Sequence, residues 1–316
     1  MIKVTEPITF AEGFDEFLYT KNTEGCRPAT IKHYKNSIHV FLLYHDENMR
    51  MDEITSSTVS NFFCQLQNRG LAEKTICTYI RALRTVLYFF MDNGWIKPFK
   101  IKTPKVTRQI KHIYTDEELR ALLQNPRAYR RQNGGREVTF AEYRDWAFVN
   151  YIMGTGQRLS TVINIKIGDV DLQNGLVYLR HLKNRKQVVL PLTASLVSVL
   201  KEYLRVRGGD QNDYLFCTAF GKQASPSTMI CSIRRYNQNR GVEKTSIHLL
   251  RQTFAVNWIR QSGDIVKLQH MLTHSDLKTT QIYLDLVYDD LAQNMEEVNP
   301  LEKLKKQSEK IPGAKF

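Results

Sequence analysis

The residues best suited to chemistry in this chain are arginines, lysines, histidines and a tyrosine, arranged in four ordered blocks. The first runs from Gly154 to Ser160 and carries Arg158; the second runs from Leu182 to Leu192, with Lys183 and Lys186 near its start. The third holds His248 and Arg251, and the fourth holds His274 and Tyr283, with 23 residues from Arg251 to His274 and 9 from His274 to Tyr283. A guanidinium stays charged at any physiological pH and offers a bidentate fork that matches phosphate oxygens. A tyrosine hydroxyl, with an ordinary pKa of about 10, becomes a nucleophile only beside cations and a base. Histidine supplies a near-neutral acid or base. Together these groups suit attack on a phosphate.

Other chemistries lose support on the same reading. The chain has no G-x-x-x-x-G-K-[ST], no G-x-S-x-G and no G-x-G-x-x-G, so the usual nucleotide and hydrolase signatures are missing. Asp169 and Asp171 are spaced like part of a two-metal site but fall at a turn, where aspartate caps and turns chains. His270 and His274 have the i, i+4 spacing of a zinc helix, without the glutamate of H-E-x-x-H or an evident third ligand. No metal site and no cofactor are expected.

The elements that must position these residues are mostly helical. Apolar periodicity predicts helices over Phe10 to Tyr19 and Thr30 to Tyr44, a third capped by Ser57 and ending at Gly70, and a fourth from Glu73 to Met91. Residues 97–111 contain two prolines, five lysines, one arginine and no acid, and read as an extended basic linker. Beyond it, the Thr115-Asp-Glu-Glu118 capping box opens a helix through Leu123. Residues 125–136 read as an exposed basic loop, and Phe140 to Gly154 as a buried helix. The turn signal at Asp171 to Gly175 precedes two strands, Leu176 to Leu182 and Gln187 to Leu192, which form a hairpin with Lys183 to Lys186 at its tip. Helices resume at Ser195 to Arg205, Ser227 to Asn237, Leu249 to Gln261, Ile265 to Leu272 and Lys278 to Leu291. The predicted class is mainly α with a small β-sheet, divided as 1–100, a linker at 101–113, a second domain at 114–288 and an amphipathic tail at 289–316.

Charge says where an anionic partner would sit. The 316 residues hold 45 Lys and Arg against 32 Asp and Glu, a net charge of +13. Residues 1–100 carry 12 basic and 11 acidic side chains, 101–113 carry 4 and none, and 114–316 carry 29 and 21. The excess therefore lies in the linker and second domain, as expected for a nucleic-acid partner. No apolar run approaches the roughly 18 residues of a membrane span, and the first residues lack a secretory pattern. Five cysteines without a C-x-x-C pair argue against a disulfide framework or zinc ribbon and for a reducing, cytoplasmic setting.

Singly, Arg158 would pass for a surface or cap arginine, His248 for a structural histidine and Tyr283 for one of 15 tyrosines. In order and spacing, however, the four blocks resemble the tyrosine recombinase (phage integrase) family over roughly residues 150–290. Residues 1–100 are similar to that family's SAM-like core-binding domain through Lys74-Thr75-Ile76 and Arg81-Ala-Leu-Arg84. The resemblance implies that Arg158, Lys183, His248, Arg251, His274 and Tyr283 are catalytic. The two arginines would neutralise the non-bridging oxygens as phosphorus becomes pentacoordinate, and Tyr283 would form a 3′-phosphotyrosyl link. Lys183, or alternatively Lys186, would protonate the departing 5′-oxygen. Lys74, Thr75, Arg81, Arg84, Lys105 and Arg108 are candidate DNA contacts. The implied partners are double-stranded DNA, three further copies in a tetramer on synapsed sites and possible accessory proteins, with strand exchange through a Holliday junction. The rival readings are a type IB topoisomerase-like relaxation activity, a catalytically silent DNA-binding accessory factor and a metal-dependent transposase. Three positions depart from the family pattern: Thr161 where an acid is usual, Gln252 where histidine often follows the arginine, and Thr273 where glycine usually precedes the last histidine.

Overall fold

The computed structural model describes residues 9–104, 113–133, 137–180 and 187–284. The chain divides into two compact units, Met1–Gln109 and Ile110–Phe316.

In the first unit, helix α1 (Phe10–Thr23) begins at a capping box in which Thr9 and Glu12 each satisfy the other's backbone N–H. It is followed by α2 (Pro28–Leu42), α3 (Ser56–Asn68) and the 20-residue α4 (Glu73–Asp92). Thr55, two residues before the predicted Ser57, caps α3. The first three helices all pack on α4, whose Ile76, Ile80, Leu83, Val86, Leu87 and Phe90 are buried at helical spacing. Phe10, Phe17, Phe41, Phe62 and Phe90 complete the core, with ring centroids 5.1 Å apart for Phe10 and Phe41 and 5.2 Å for Phe41 and Phe62. These phenylalanines are thus core rather than a ligand-stacking platform.

The second unit is built around α7 (Phe140–Thr155), which is buried on nearly every side, as its apolar character on most faces predicts. Helices α5 (Asp116–Leu123), α9 (Ala194–Arg207), α10 (Pro226–Gln238) and α11 (Ile247–Ser262) pack against it. The sheet has three antiparallel strands in the order β1 (Val170–Asp171), β2 (Leu176–Leu179) and β3 (Val188–Pro191). Val177 pairs with Leu190 facing the core, and Tyr178 pairs with Val189 facing solvent. The hairpin follows prediction, while β1 adds a strand that its two residues are too short to announce.

One segment departs from expectation. Where residues 125–136 suggest a loop, Pro126–Gln132 form helix α6. The Asn125 side chain accepts from the Arg127 N–H at 2.9 Å and Pro126 fills the first turn, where a missing N–H costs nothing. Long-range contacts finish it: Arg130 pairs with Glu142, and the Tyr129 hydroxyl donates to the Asn239 carbonyl at 2.8 Å beneath the Arg240 guanidinium. These partners lie too far along the chain for local patterning to reveal.

Candidate active site

Helix α7 ends at Gly156, which has a φ of +63°. A Cβ there would sit 2.4 Å from Phe254 and 2.7 Å from Leu272, so both the turn and the packing require glycine. The chain leaves this turn through buried Gln157 to half-buried Arg158, the N-cap residue of the short helix α8 (Leu159–Val162).

Across from it, Ser246 caps α11, which presents exposed His248 in its first turn and buried Arg251 one turn later. The Arg251 guanidinium is held on three sides: Nη1 donates to the Gly156 carbonyl at 2.6 Å, and Nη2 donates to the Leu272 carbonyl at 3.1 Å and to His274 Nε2 at 2.5 Å. Burial and the nearby Arg158 charge pull its pKa down to about 10, against the neighbouring Tyr283 oxygen, which favours the charged form. It is therefore a cation at neutral pH. Burial also lowers Arg158, opposed by the Tyr283 oxygen.

His274 follows α12 (Ile265–Met271) and faces α13 (Leu277–Gln281). Burial first, then the charges of Arg251 and Arg158, push its pKa down to about 3, so the ring is neutral. Its Nδ1 lies 2.8 Å from the Thr280 hydroxyl, and the buried Tyr283 ring stacks on it with centroids 6.3 Å apart and planes 10° from parallel.

The structure thus brings Arg158, Arg251, His274 and Tyr283 together, and His248 shares with both arginines a cleft of about 570 Å³. Lys183 and its rival Lys186 lie outside the described residues, as do Lys105, Arg108 and everything beyond Leu284. The predicted helix over Lys278 to Leu291 is shorter within the described part: α13 stops at Gln281 and Tyr283 stands in the turn after it. On α4 of the other unit, Lys74 and Arg81 are exposed, Thr75 and Arg84 are half-buried, and Arg84 lies 6.0 Å over the Tyr88 ring.

Groups considered as metal ligands have other partners. Asp169 accepts from the Lys166 N–H at 2.9 Å and pairs with Arg180 at 2.6 Å, while Asp171 accepts two turn N–H groups. His270 ends on the exposed surface of α12, which stops before His274, so the two histidines do not share a helix.

Four residues with no motif signal join the site. Arg234 and Ile230 of α10 line the cleft. Gln157 donates to the Met271 carbonyl and accepts from the Thr273 hydroxyl at 3.4 Å, tying the Arg158 loop to the His274 turn. Thr280 is fully buried. Gln157 and Thr280 are buried whereas Arg234 and Ile230 are exposed, and only the three-dimensional arrangement brings the four to the site.

A tyrosine set among two guanidiniums and a neutral histidine, on a mixed unit that follows a four-helix bundle, defines the class of enzymes that attack phosphate with a tyrosine hydroxyl. Residues 112–289 match the phage integrase family and residues 9–106 match the phage integrase SAM-like domain. The chain belongs to the phage integrase family, the tyrosine recombinases. It is 29% identical over 304 residues to the tyrosine recombinase XerA of Thermococcus kodakarensis, covering 95% of this chain and 99% of that one. It is 25% identical over 283 residues to XerD of Listeria innocua, covering 85% and 92%. Among solved structures, XerA recombinase aligns with a TM-score of 0.51 at 26% identity, covering 92% of this chain and 98% of that chain. XerH bound to a palindromic difH substrate aligns at 0.66 and 22%, covering 89% and 82%, and shows the shared fold.

Proposed function

We propose that the chain is a site-specific DNA recombinase that cuts and rejoins strands through Tyr283. The observation that carries this is Arg251, a buried cation bonded to His274 with Arg158 and Tyr283 as electrostatic neighbours, in a family of tyrosine recombinases. That membership, and the recombinases among its relatives, favours strand exchange over supercoil relaxation or silent DNA binding.

In the reaction, the scissile phosphate enters the cleft and its non-bridging oxygens take hydrogen bonds from Arg158 and Arg251. The Tyr283 oxygen forms a bond to phosphorus as the bond to the 5′-oxygen breaks, leaving a 3′-phosphotyrosyl ester and a 5′-hydroxyl. His274 is neutral with Nε2 committed to Arg251, so its part is to orient the guanidinium; exposed His248 is the base for the tyrosine proton. Lys183 protonates the departing oxygen, with Lys186 as the alternative. The freed hydroxyl then attacks the partner duplex's ester, and two rounds pass through a Holliday junction without metal or nucleotide.

Residues 1–100 act as the core-binding domain, 101–113 as a linker along the backbone and 114–288 as the catalytic domain. Lys74, Thr75, Arg81, Arg84, Lys105 and Arg108 contribute DNA contacts. Two duplexes with two cleavage sites each require a tetramer, and the tail at 289–316 is the segment available for docking on a neighbouring protomer. The setting is cytoplasmic, and accessory proteins are possible partners.

A nicked suicide substrate tests the chemistry. A covalent adduct in the presence of EDTA that is lost in Tyr283→Phe is expected. No adduct with the wild-type chain would leave a silent binding factor, and plasmid relaxation without recombinant product would point to a topoisomerase.

A further inference from the structure

Arginine has no hydrogen-bond acceptor and keeps its protons in a protein. The 2.5 Å contact between Arg251 Nη2 and His274 Nε2 therefore requires a lone pair on Nε2. A neutral ring with a bare Nε2 carries its proton on Nδ1, and the group that receives it is the Thr280 hydroxyl at 2.8 Å. Thr280 is 0% exposed, so water does not compete for this bond.

The geometry points to Thr280 as a positioning residue for strand cleavage: its hydroxyl fixes the Nδ1–H tautomer of His274, and the bare Nε2 thereby anchors Arg251. The inference rests on the site reading above. Without Thr280 the ring is free to place its proton on Nε2, and an N–H would then face the guanidinium. Of the five N–H groups of Arg251, three are committed to the Gly156 and Leu272 carbonyls and to His274 among the described residues. Losing the His274 acceptor releases one of these three restraints on the group that must meet the phosphate.

Thr280 reaches the nucleophile as well. Its carbonyl accepts from the Tyr283 N–H at 3.0 Å, while the Tyr283 ring stacks on the histidine that its hydroxyl holds. One residue thus joins His274 and Tyr283, with the hydroxyl bond separable from the backbone bond. Thr280→Val keeps the branched shape and the carbonyl and removes the hydroxyl alone; Thr280→Ser restores it.

The test uses the full-length chain, single-turnover adduct formation on saturating suicide DNA, DNA affinity, and ring-nitrogen NMR of 15N-histidine protein. Thr280→Val is expected to slow cleavage on the order of 10²-fold, as a small misplacement of a reacting group does, with DNA affinity within about twofold. Thr280→Ser is expected to keep the rate within about threefold of wild type. Wild-type spectra should show one histidine with protonated Nδ1 and bare Nε2 that vanishes in His274→Gln and changes tautomer in Thr280→Val. A wild-type His274 protonated on Nε2 overturns the proposal even if the valine variant does not fold. So does a valine variant cleaving at the wild-type rate, or a serine variant as slow as valine. If instead Tyr283→Phe still forms adduct, the catalytic reading fails, and the tautomer measurement stands separately from it.

Discussion

Arg144 and Arg251 are both buried in the second unit, at 5% and 3% exposure, and differ in what meets the charge. Arg144 pairs with Asp145 at 2.8 Å, donates to Ser232 and to the Cys217 carbonyl, and Ser232 in turn donates to Asp145. That cluster is electrically complete. Arg251 has two carbonyls and a neutral histidine as hydrogen-bond partners with Tyr283 nearby, and among the described residues no carboxylate forms an ion pair with it. A buried charge is costly unless an opposite charge offsets it. Arg144 brings its anion with it; Arg251 lacks one, and under the proposed function the substrate phosphate would supply it. Thr161, buried where the family usually has an acid, leaves the neighbourhood without a carboxylate at that position as well.

The comparison is most sharply broken or upheld by replacing each arginine with methionine, which keeps the apolar stem. Arg251→Met should reduce single-turnover cleavage by 10²–10³-fold or more, the scale of removing one donor to a developing oxyanion, while thermal stability stays level or rises. A large stability loss instead would mean that Arg251 is structural like Arg144. Arg144→Met should behave oppositely. It leaves Asp145 buried without its cation and should lower unfolding free energy by about 3–5 kcal/mol in denaturant titrations, with cleavage per folded molecule unchanged.

The next effect is on pH. His274 falls from an ordinary 6.5 to about 3 in the fold because burial and the two arginines disfavour its charged form. The unfolded chain therefore binds this proton more readily, and the contribution to stability is fully present above about pH 6.5 and lost as pH falls toward 3. Between pH 6 and 4.5 the wild type should lose up to about 1.4 kcal/mol per pH unit more than His274→Gln, measured as parallel denaturation series. Parallel curves would show that the histidine is not held neutral between the arginines.

The two arginines also show what sequence can reveal. Arg251 is legible because its type and spacing repeat a functional order: His248 three residues before it, His274 and Tyr283 after it. Helices with clear apolar periodicity, such as α4 and α7, are equally legible, since one stripe or all sides must be covered. The Arg144 cluster is not, because Asp145, Ser232 and Cys217 meet only through folding and none belongs to a pattern. The same applies to α6, whose stabilising partners Glu142 and Asn239 are remote, and to Thr280, whose part depends on a ring orientation. Spacing predicts a helix through Tyr283 and beyond, yet Tyr283 stands in a turn, where its N–H bonds to the Thr280 carbonyl.

The smallest expected effect concerns strain on the Arg251 side of the comparison. Thr273, next to His274, has a φ of +52°, and it is the sole non-glycine residue with positive φ among the described residues. A β-branched residue in the left-handed region is strained by about 1–2 kcal/mol, which the surroundings must hold in place. The Gln157 clasp does part of this through its bonds to the Met271 carbonyl and the Thr273 hydroxyl. Thr273→Gly removes the strain but gives the unfolded chain more freedom, which offsets about 0.4–1 kcal/mol of the gain. The net should be a rise of about 0.5–1 kcal/mol in unfolding free energy, with cleavage slowed by about two- to fivefold because Gln157 loses one of its contacts across the site. Stability rising while the rate falls is the signature of a strained turn kept for positioning. A loss of both would mean that the threonine hydroxyl contributes more to the fold than its backbone costs, and the region around Arg251 would then be stabilised internally, as that around Arg144 is.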